Sequence, residues 1–392
     1  MNLDDQLKHL LRGTTNVVSQ EELKKKLLLG RTLRVKLGVD PTAPDIHLGH
    51  TVVLTKLRLF QDMGHTVVFI MGDFTASIGD PSGRDTTRPP LSETEIENNI
   101  RTYQDQVFKV LDPSKTEVRA NSDWLLKLFD KSNPSFLPKT LLRQHTVQQL
   151  MERDDFTERR KAGQPITLLE LMYPLFQGYD SVAVKADVEL GGNDQLFNLL
   201  MGRQMQKEAG QEPQVVLTLP LLEGLDGGRK MSKSYGNHVG VKDHANQMFA
   251  KIMSISDNGM WAYFELLTEE NVAEMKALHP MEAKKKLAGL ITARFHGAGE
   301  AQTARSEFER VFSKKEAPSD MESFQLLKPE MDAVELLVTA GLAPSKKEAR
   351  RLLEQGGVQL GEKKVEVGEK IIVHSPLVLK VGKRRFKKLL PA

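Results

Sequence analysis

Hydrophobic positions in the first part of the chain change from one spacing to another and predict an α/β protein. Apolar residues run almost continuously through Leu33–Asp40 and Thr66–Met71, as in buried strands, and recur at helical intervals over residues 47–63 between them. A strand, a helix and a strand in this order predict a right-handed crossover and a parallel sheet. The same periodicity predicts packing helices over residues 1–30 and mostly helical structure from about 92 to 172.

The rest of the chain is predicted to add short strands, a helical stretch and a mixed C-terminal region. Prolines among charged residues mark a linker before the last region. In chain order the predicted elements are a strand over Ser181–Val188, a short strand over Gln214–Thr218, helices from residue 237 to about 312, a linker over Lys314–Pro329, a helix opened by a capping box from Ser345 to Glu348, and strands at Val358–Leu360 and within Lys370–Val381.

Polar turns that contain glycine follow the predicted strands. They are Pro41–His50, Gly72–Arg84 and Glu189–Gln195. An open parallel sheet binds its ligands at the carboxyl ends of its strands, which is where these turns fall. The sequence therefore predicts that the three turns share one binding cleft.

Two histidines stand at the helix start that follows the first turn. Backbone N–H groups at a helix N-terminus attract anions, and Gly49 lets a ligand approach the backbone without a Cβ in the way. His47 and His50 are three residues apart, so they lie on one face of the first turn and can donate to the same phosphate group. A lone His-x-x-His pair more often caps a helix or lines a solvated edge, so the pair alone does not define a site.

A stripe of polar side chains crosses the apolar segment Leu168–Asp180. Tyr173, Gln177 and Asp180 fall at i, i+4 and i+7, which places them on one side of a helix. Buried polar groups without partners cost about 1–3 kcal/mol each. The stripe therefore indicates either pairing with neighbouring elements or a pocket for a small polar molecule.

Composition narrows the functional classes. The chain has 392 residues, of which 40% are hydrophobic and 27% charged, as in a globular protein of two or three domains. It has no cysteine, which excludes disulfides, thiolate zinc sites and thiol nucleophiles. No apolar run approaches the length of a membrane span, and Met1–Asp5 lacks the features of a signal peptide. We therefore expect a cytoplasmic protein without a membrane partner.

Positive charge is concentrated near the C-terminus. Residues 331–392 contain 13 Lys and Arg against 7 Asp and Glu, while the rest of the chain contains 42 against 45. A basic tail on a slightly acidic body is expected to bind a polyanion, although the same charge also raises solubility.

A cationic loop far along the chain complements the histidine pair. Its residues, Lys230-Met231-Ser232-Lys233-Ser234, are flanked by glycines and include few packing side chains. Alone, such a loop is usually solvated surface. In this order, however, the histidine turn and the loop resemble the two ATP signatures of class I aminoacyl-tRNA synthetases, His-Ile-Gly-His and Lys-Met-Ser-Lys-Ser, with Leu48 in place of the isoleucine.

With the polar stripe and Gln195 added, the chain resembles the bacterial tyrosyl-tRNA synthetases from about Leu33 to the C-terminus, less clearly between about 240 and 325. The resemblance implies an α/β fold in three parts. These are a Rossmann-like parallel-sheet catalytic domain with an inserted helical dimerisation region over residues 1–226, the lysine loop and a helical domain over 227–325, and a small α+β S4-like RNA-binding domain over 326–392. It also implies a homodimer. The substrates would be L-tyrosine, tRNA(Tyr) and ATP carrying Mg²⁺, with no dedicated metal site and no tightly bound cofactor.

The resemblance also assigns roles to single residues, with Asp180 at the phenolic hydroxyl of tyrosine. Residues expected to hold tyrosine are Lys36, Asp80, Asn121, Trp124, Tyr173, Gln177, Asp180 and Gln195. Residues expected around ATP are Gly38, Asp40, Gly49, His50, Gly192, Asp194, Met231 and Lys233. Residues expected to act on the phosphates are Thr42, His47, His50, Arg84, Arg88, Lys230 and Lys233. Residues expected to contact tRNA are Lys346, Lys347, Arg350 and Arg351.

One position departs from the family. Many members have a tyrosine where this chain has Lys36, and that tyrosine contacts the substrate hydroxyl. Discrimination against phenylalanine is therefore expected either to depend on Asp180 alone or to use Lys36 as a further donor.

The residue types suit activation of an acyl group without a general base. The carboxylate of an amino acid is already a nucleophile for the α-phosphorus of ATP, so catalysis requires placement of two ligands and stabilisation of charge on the polyphosphate. The resemblance predicts formation of tyrosyl-adenylate and pyrophosphate, followed by transfer of tyrosine to the 3′ end of tRNA(Tyr). Alternatives are a tryptophanyl-tRNA synthetase, a small-molecule nucleotidylyltransferase and a non-catalytic RNA-binding protein with a synthetase-like body.

Overall fold

A mainly parallel sheet forms the centre of the N-terminal part of the protein. The structure, a computed structural model, describes residues 2–42, 44–80, 92–130, 132, 137–313, 321–382 and 385–392. The chain divides into two units, unit 1 over Met1–Ala298 and unit 2 over Gly299–Ala392.

The sheet of unit 1 has the order β1-β6-β5-β2-β3-β4. Strands β2 to β6 are parallel, and β1 pairs antiparallel with β6 at one edge. The strands are β1 (Asn16–Val18), β2 (Arg34–Val39), β3 (Thr66–Met71), β4 (Thr116–Ala120), β5 (Val188–Gly192) and β6 (Val215–Leu219).

The strand order reverses between β2 and β5. From β2 the chain proceeds to β3 and β4 on one side, and then returns to β5 and β6 on the other side. The carboxyl ends of β2 and β5 therefore border a topological switch point, where open α/β sheets bind their ligands. This topology confirms the predicted Rossmann-like parallel sheet.

Helices cover the sheet and continue beyond it. In the described part of unit 1 they are α1 (Leu3–Leu11), α2 (Gln20–Leu28), α3 (Leu48–Asp62), α4 (Asp73–Ile78), α5 (Glu93–Val107), α6 (Ser122–Leu125), α7 (Val147–Leu150), α8 (Asp154–Lys161), α9 (Leu168–Val184), α10 (Leu196–Glu208), α11 (Ala245–Met253), α12 (Met260–Leu267), α13 (Val272–Lys276) and α14 (Pro280–His296). Among the described residues, no helix is both long enough and apolar enough to cross a membrane.

Helix α9 carries the polar stripe and begins at a capping box. The hydroxyl of Thr167 accepts from the backbone N–H of Glu170 at 3.2 Å, and the Glu170 carboxylate accepts from the backbone N–H of Thr167 at 2.9 Å. The helix packs closely on α10, since an added Cβ at Gly178 would lie 3.2 Å from the backbone nitrogen of Gly202. This contact fixes the rotation of α9 about its axis and hence the direction of its polar stripe.

The predicted strand over Ser181–Val188 is wrong for most of its length. Helix α9 continues to Val184, Lys185 ends it with a left-handed backbone at φ 50°, and β5 begins only at Val188. Two valines close to the helix end suggested a strand, but packing along α10 overrides that weak preference.

Two short strands of the sheet lie where helix was predicted. β1 interrupts the predicted N-terminal helical region, and β4 lies within residues 92–172. Both are sheet-edge strands with partly exposed side chains, so their apolar signal is weak. The predicted turn over Gly72–Arg84 contains α4 in its first half.

Unit 2 combines helices with two small sheets. Its five-stranded sheet has the order β10-β9-β12-β13-β7, and β8 pairs with β11. Its elements are α15 (Ala298–Phe308, whose first residue still belongs to unit 1), β7 (Ser323–Gln325), β8 (Glu330–Asp332), α16 (Ala333–Thr339), α17 (Lys346–Glu354), β9 (Val358–Leu360), β10 (Lys363–Lys364), β11 (Lys370–Ile372), β12 (Leu377–Val381) and β13 (Arg385–Leu390). This small unit of helices and strands confirms the expected α+β C-terminal region.

Helix α17 begins at Ser345 as predicted, but only half of the capping box forms. The Ser345 hydroxyl accepts from the backbone N–H of Glu348 at 3.2 Å. The Glu348 carboxylate instead accepts from Arg351 at 2.7 Å. Division of residues 1–325 at residue 226 into a catalytic and a helical domain stays a prediction.

Candidate active site

Most of the residues named from the sequence meet in one cleft of about 560 Å³. The cleft lies at the carboxyl ends of β2 and β5, whose last residues line it. The predicted residues in its lining are Gly38, Asp40, Thr42, His47, Gly49, His50, Asp80, Asn121, Tyr173, Gln177, Asp180, Gly192, Asp194, Gln195, Lys230, Met231 and Lys233. The three polar turns and the lysine loop therefore share one site.

Backbone hydrogen bonds fasten the lysine-loop region to the histidine turn. The N–H of Leu48 donates to the carbonyl of Val239 at 3.0 Å, and the N–H of Val241 donates to the carbonyl of Ile46 at 3.0 Å. His47 stands between these bonds and caps α3. Its backbone N–H donates to Nδ1 of His50 at 3.2 Å, and the two rings lie 3.9 Å apart between centroids.

The His47 side chain is neutral and has a free ring nitrogen. Burial, together with the nearby charges of His50, His238 and Lys233, lowers the pKa of His47 to about 2. Its Nδ1 is buried and has no hydrogen-bond partner among the described residues. An unpaired buried nitrogen on the wall of a cleft favours a ligand that supplies the partner. His47 therefore contributes a hydrogen bond rather than a positive charge.

Glycines keep two walls of the cleft open. A Cβ added at Gly49 would lie 3.0 Å from the His47 ring, so a larger residue there would displace the histidine. A Cβ added at Gly38 would meet no atom within 4 Å, although Gly38 lines the cleft. The backbone of β2 is therefore open to a ligand at this point.

The lysine loop is shaped by Asn237 and tied to the histidine turn by Asp45. The Asn237 side chain accepts from the backbone N–H of Ser232 at 2.8 Å and donates to the carbonyl of Lys230 at 3.2 Å. Lys233 Nζ donates to Asp45 Oδ2 at 2.9 Å. Partial burial acts against ionisation of Asp45, but Lys233 and Lys242 outweigh it and lower the pKa of that carboxyl.

The other lysine of the loop faces a carboxylate that is poorly solvated. Lys230 Nζ lies 4.0 Å from Asp194 Oδ2. Burial raises the pKa of Asp194, and the positive charge of Lys230 only partly offsets this effect. The two loop lysines thus rest against Asp45 and Asp194, and both line the cleft where a polyanion could replace those partners.

Two aspartates on the opposite wall are held by neutral donors. Burial raises the pKa of Asp40 to about 7, against hydrogen bonds from Thr75 Oγ1 at 2.6 Å and the Tyr173 hydroxyl at 2.8 Å. Burial raises the pKa of Asp180 to about 7 as well, although the Trp124 indole N–H donates to it at 2.8 Å. Carboxyls in this condition favour a cation as ligand, because its charge stabilises their ionised form.

A chain of hydrogen bonds joins these two aspartates. The Asn121 amide donates to Asp180 Oδ2 at 3.4 Å and to Thr75 Oγ1 at 3.0 Å. Thr75 in turn donates to Asp40, which also accepts from Tyr173. These hydrogen bonds link residues that lie in α4 and α9 or directly beside β2 and α6. The position of each carboxylate therefore depends on four separate elements.

A second set of polar side chains, Asp80, Gln177, Gln195 and Asn198, is also joined by hydrogen bonds. The Gln195 amide donates to Asp80 Oδ2 at 2.8 Å. The Asn198 amide donates to Gln177 Oε1 at 2.9 Å and to Gln195 Oε1 at 3.1 Å. Amide and carboxylate groups in this arrangement can both donate to and accept from an amino acid's charged ends.

Some residues named from the sequence lie elsewhere. Trp124 lies behind Asp180 and does not line the cleft. Lys36 also lies beneath the lining rather than in it, and its ammonium contacts protein oxygens, so the expectation of a direct contact with substrate finds no support in its position. Arg84 and Arg88 lie outside the described residues. Lys346, Lys347, Arg350 and Arg351 are exposed on or beside α17 in unit 2.

Thr75, Asn198, Asp45 and Glu189 are site residues that sequence reasoning did not select. Three of them, Thr75, Asp45 and Glu189, line the cleft. The fourth, Asn198, donates to the amide oxygens of Gln177 and Gln195. Asp45, Thr75 and Glu189 stood within turns already singled out, so the signal was present. Asn198 occurs in an apolar segment, where a polar residue predicts a partner but does not identify it.

The described residues contain no group of three or more His, Cys, Asp or Glu side chains placed to hold a metal ion.

Comparison with known protein families matches both parts of the chain. A model of class I tRNA synthetases of the W and Y type matches residues 29–313. A model of the C-terminal domain of tyrosine-tRNA ligases of the SYY type matches residues 313–387.

Full-length relatives agree with these matches. Tyrosine-tRNA ligase of Aquifex aeolicus is 51% identical over 395 residues, covering 100% of both chains. Tyrosine-tRNA ligase of Oleidesulfovibrio alaskensis is 50% identical over 400 residues, again covering 100% of both. The corresponding enzyme of Thermotoga maritima is 48% identical over 400 residues, covering 99% of this chain and 98% of the relative.

Solved structures share the fold at lower identity. A C-terminally truncated mitochondrial tyrosyl-tRNA synthetase of Aspergillus nidulans has a TM-score of 0.65 at 19% identity, covering 79% of this chain and 94% of its own. The tyrosyl-tRNA synthetase of Archaeoglobus fulgidus, solved with L-tyrosine, has a TM-score of 0.63 at 22% identity, covering 78% and 100%.

We predict that Asp40→Asn makes folding stability less dependent on pH. The ordinary pKa of 3.8 applies to the unfolded chain, and the folded value is about 7. Between these pH values the folded state therefore binds more protons than the unfolded chain. The free energy of unfolding that protonated Asp40 contributes is complete below about pH 4 and is lost as pH rises through 7. Urea unfolding from pH 5 to pH 8 measures this slope.

The matched control for that experiment is Asp105→Asn, which removes a carboxylate from the exposed face of α5. Asp40→Asn should flatten the decline in unfolding free energy toward pH 8, and Asp105→Asn should leave it unchanged. Equal slopes for all three proteins would contradict the burial of an ionisable Asp40.

Proposed function

The chain belongs to the tyrosine-tRNA ligases of the class I tRNA synthetase family, and we propose that the cleft described above is where it activates tyrosine with ATP. The product would be tyrosyl-adenylate with release of pyrophosphate, followed by transfer of tyrosine to the 3′ end of tRNA(Tyr). The observation that carries the proposal is the composition of the cleft at the switch point. Asp40 and Asp180 with their neutral donors, here called the carboxyl wall, line the same cleft as a histidine turn and two lysines.

Tyrosine fits the carboxyl wall. Its α-ammonium is proposed to lie among Asp80, Tyr173 and Gln177, which line the cleft together and offer a carboxylate and polar oxygens as acceptors. Gln195 lies close enough to Asp80 to serve the amino acid's carboxylate beside the ammonium. The phenolic hydroxyl is assigned to Asp180, whose two oxygens accept from Trp124 and Asn121 and keep further lone pairs available.

ATP fits the opposite wall. Open backbone at Gly38 leaves space for the ribose and adenine, with Gly192, Asp194 and Met231 alongside. Thr42 and His47 are assigned to the γ-phosphate, since His47 Nδ1 has no hydrogen-bond partner among the described residues. Mg²⁺ is proposed to arrive with ATP, and Arg84 and Arg88 stay assigned to the phosphates.

The residues promote the reaction by placement and by charge. An oxygen of the tyrosine carboxylate attacks the α-phosphorus, a bond between that oxygen and phosphorus forms, and the bond from the α-phosphorus to the bridging oxygen of pyrophosphate breaks. Negative charge grows on pyrophosphate during this step. Lys230 and Lys233 can exchange Asp194 and Asp45 for the phosphates at that moment, which stabilises the transition state more than bound ATP.

Unit 2 is proposed to bind tRNA as an S4-like domain. Lys346, Lys347, Arg350 and Arg351 are all exposed, while Ala349, Leu352 and Leu353 on the same helix are buried in the core of unit 2. In the described part of the chain, Arg351 alone of these four cations has an acidic partner, Glu348 at 2.7 Å. A helix that buries one face and presents cations on the other suits a phosphate backbone.

The rival functions are less well supported. A tryptophan enzyme shares the catalytic family model, but the C-terminal match and the full-length relatives are of the tyrosine type. A small-molecule nucleotidylyltransferase would have no use for unit 2. A protein that only binds RNA would have no use for the carboxyl wall. A cytoplasmic location stays part of the proposal.

A homodimer is proposed from apolar side chains that unit 1 leaves exposed. Leu126, Phe129, Leu142, Val147, Leu168 and Leu169 are 42–78% exposed. They belong to elements whose inner residues, among them Leu125, Leu128, Leu141, Leu150 and Leu171, pack in one hydrophobic cluster. Exposed apolar side chains concentrated in one region are typical of a contact between subunits.

We predict that Asp180→Ala lowers the preference for tyrosine over phenylalanine by roughly 10- to 100-fold, the worth of a hydrogen bond to a charged group. The reason is that phenylalanine leaves a buried carboxylate unpaired, and this penalty disappears with the carboxylate. Amino-acid-dependent pyrophosphate exchange measures the ratio of kcat/KM values. Asp123→Ala, an exposed neighbour of Trp124, is the control. An unchanged ratio in Asp180→Ala would refute the phenol assignment.

We predict that Lys233→Ala slows pyrophosphate exchange about 100-fold, as loss of a transition-state donor does, and leaves tRNA binding unchanged. Lys242→Ala is the matched control, because Lys242 shares the partner Asp45 but does not line the cleft.

Replacement of Lys347 and Arg350 by alanine should have the reverse effect, weakening tRNA binding without slowing exchange. Absence of exchange activity in the unaltered protein would favour the RNA-binding alternative.

We predict that sedimentation equilibrium gives twice the 44.0 kDa mass of one chain at micromolar concentration. Leu168→Glu should weaken the association, because it places a charge at the most exposed of the named side chains. Leu28→Glu, on α2, is the control at a comparably exposed leucine. A single-chain mass for the unaltered protein would exclude the homodimer.

A further inference from the structure

A buried ion pair lies directly beneath the carboxyl wall of the cleft. Lys36 on β2 and Glu189 on β5 are register partners on neighbouring parallel strands, so their side chains leave the sheet on the same face. The ammonium Nζ lies 2.7 Å from Glu189 Oε1, and the two side chains are 0% and 1% exposed. Glu189 reaches the cleft lining, and Lys36 does not.

The pair is bonded to the turn of α9 that carries two of the substrate-facing side chains. Lys36 Nζ donates to the backbone carbonyl of Gln177 at 3.1 Å and to the hydroxyl of Ser181 at 2.8 Å. The Ser181 hydroxyl in turn donates a hydrogen bond to Glu189 Oε2 at 2.9 Å. Gln177 and Asp180 both project from this turn into the cleft. The lysine therefore attaches one turn of helix to the central strand.

Further bonds hold the glutamate in place. The Gln214 side-chain amide donates to Glu189 Oε2 and to the carbonyl of Leu199. Gln206 on α10 accepts from the backbone N–H of Gln214 at 2.7 Å. The pair is thus connected to β6 and α10 as well as to α9, so it cannot shift without moving several elements.

Stability alone gives no reason for such a pair. Removal of two charges from water is costly, and well-packed apolar side chains of similar volume are often as stabilising or more so. What apolar side chains do not supply is directed bonding to a particular carbonyl and hydroxyl on a helix. The charges also act on Asp180 in opposite directions, since Lys36 lowers the pKa of that carboxyl and Glu189 raises it.

We infer that Lys36 and Glu189 form a positioning pair for selection of the phenolic side chain: they fix the Gln177–Ser181 turn and thereby set where the Asp180 carboxylate meets the substrate hydroxyl. This inference rests on the proposed assignment of Asp180 to that hydroxyl. It replaces the expected direct contact of Lys36 with tyrosine by an indirect role, in which the lysine acts through α9.

The test compares Lys36→Met, the double variant with Lys36→Met and Glu189→Met, and the unaltered protein in pyrophosphate exchange. Lys36→Met is expected to raise KM for tyrosine by roughly 10- to 100-fold, as for a lost charge-assisted hydrogen bond, and to leave KM for ATP within about twofold. The tyrosine-to-phenylalanine ratio should fall with it. The double variant has no unpaired buried charge, so its Tm should recover while the ratio stays low.

Two further variants separate the inference from general damage to the fold. Lys26→Met removes another buried lysine, which is paired with Asp187 at 3.7 Å and does not line the cleft, and should change Tm without changing the ratio. Ser181→Ala keeps both charges and the bond of Lys36 to the Gln177 carbonyl, and removes only the hydroxyl that links the pair to α9, so it should lower the ratio even if the Lys36 variants do not fold.

The double variant decides the question. If it regains both its Tm and the unaltered ratio of tyrosine to phenylalanine, the pair is structural only and the inference is overturned. Asp180→Ala distinguishes this failure from failure of the site assignment. If Asp180→Ala loses selectivity and the double variant keeps it, only the positioning role is refuted. If Asp180→Ala also keeps selectivity, the assignment of Asp180 to the phenol is refuted as well.

Discussion

Burial of carboxyl groups that touch no cation among the described residues is the constraint on which this cleft depends. Asp40 and Asp180 are held by a threonine, two aromatic side chains and an amide, and burial raises the pKa of both carboxyls to about 7. Neutral donors orient a carboxylate, but they do not neutralise it. The charge that completes the site is therefore expected from the ligand. The arrangement lowers the stability of the empty protein, as is common where a binding site is prepared in advance.

The sheet topology makes this arrangement possible. Because β2 and β5 are neighbours at the reversal of strand order, the histidine turn that follows β2 and the amide turn that follows β5 open into the same space. α9 then lays its polar stripe across that opening. Backbone pairing of Ile46 and Leu48 with Val239 and Val241 brings the lysine loop to the same edge. One cleft thus receives groups from parts of the sequence almost 200 residues apart.

Sequence patterns were sufficient for β2, β3 and β6, for the stripe on α9 and for most of the cleft lining. Each has a strong local signal, such as a buried apolar strand or polar residues at a helical interval. The patterns failed where tertiary contacts decide the outcome. Packing on α10 keeps Ser181–Val184 helical, and edge strands such as β4 have too few buried positions to be recognised. Pairing between distant polar residues, such as Lys36 with Glu189, has no local signature at all.

The central claim is that buried carboxyls read the ammonium and the phenol of one amino acid. Calorimetric titration of the protein with L-tyrosine, with 3-(4-hydroxyphenyl)propionate, which lacks the ammonium, and with L-phenylalanine tests it directly. We expect L-tyrosine to bind with measurable heat and the other two to bind at least about tenfold more weakly, since each leaves buried carboxyls without their partner. Equal affinity for L-tyrosine and the compound without the ammonium would contradict the account.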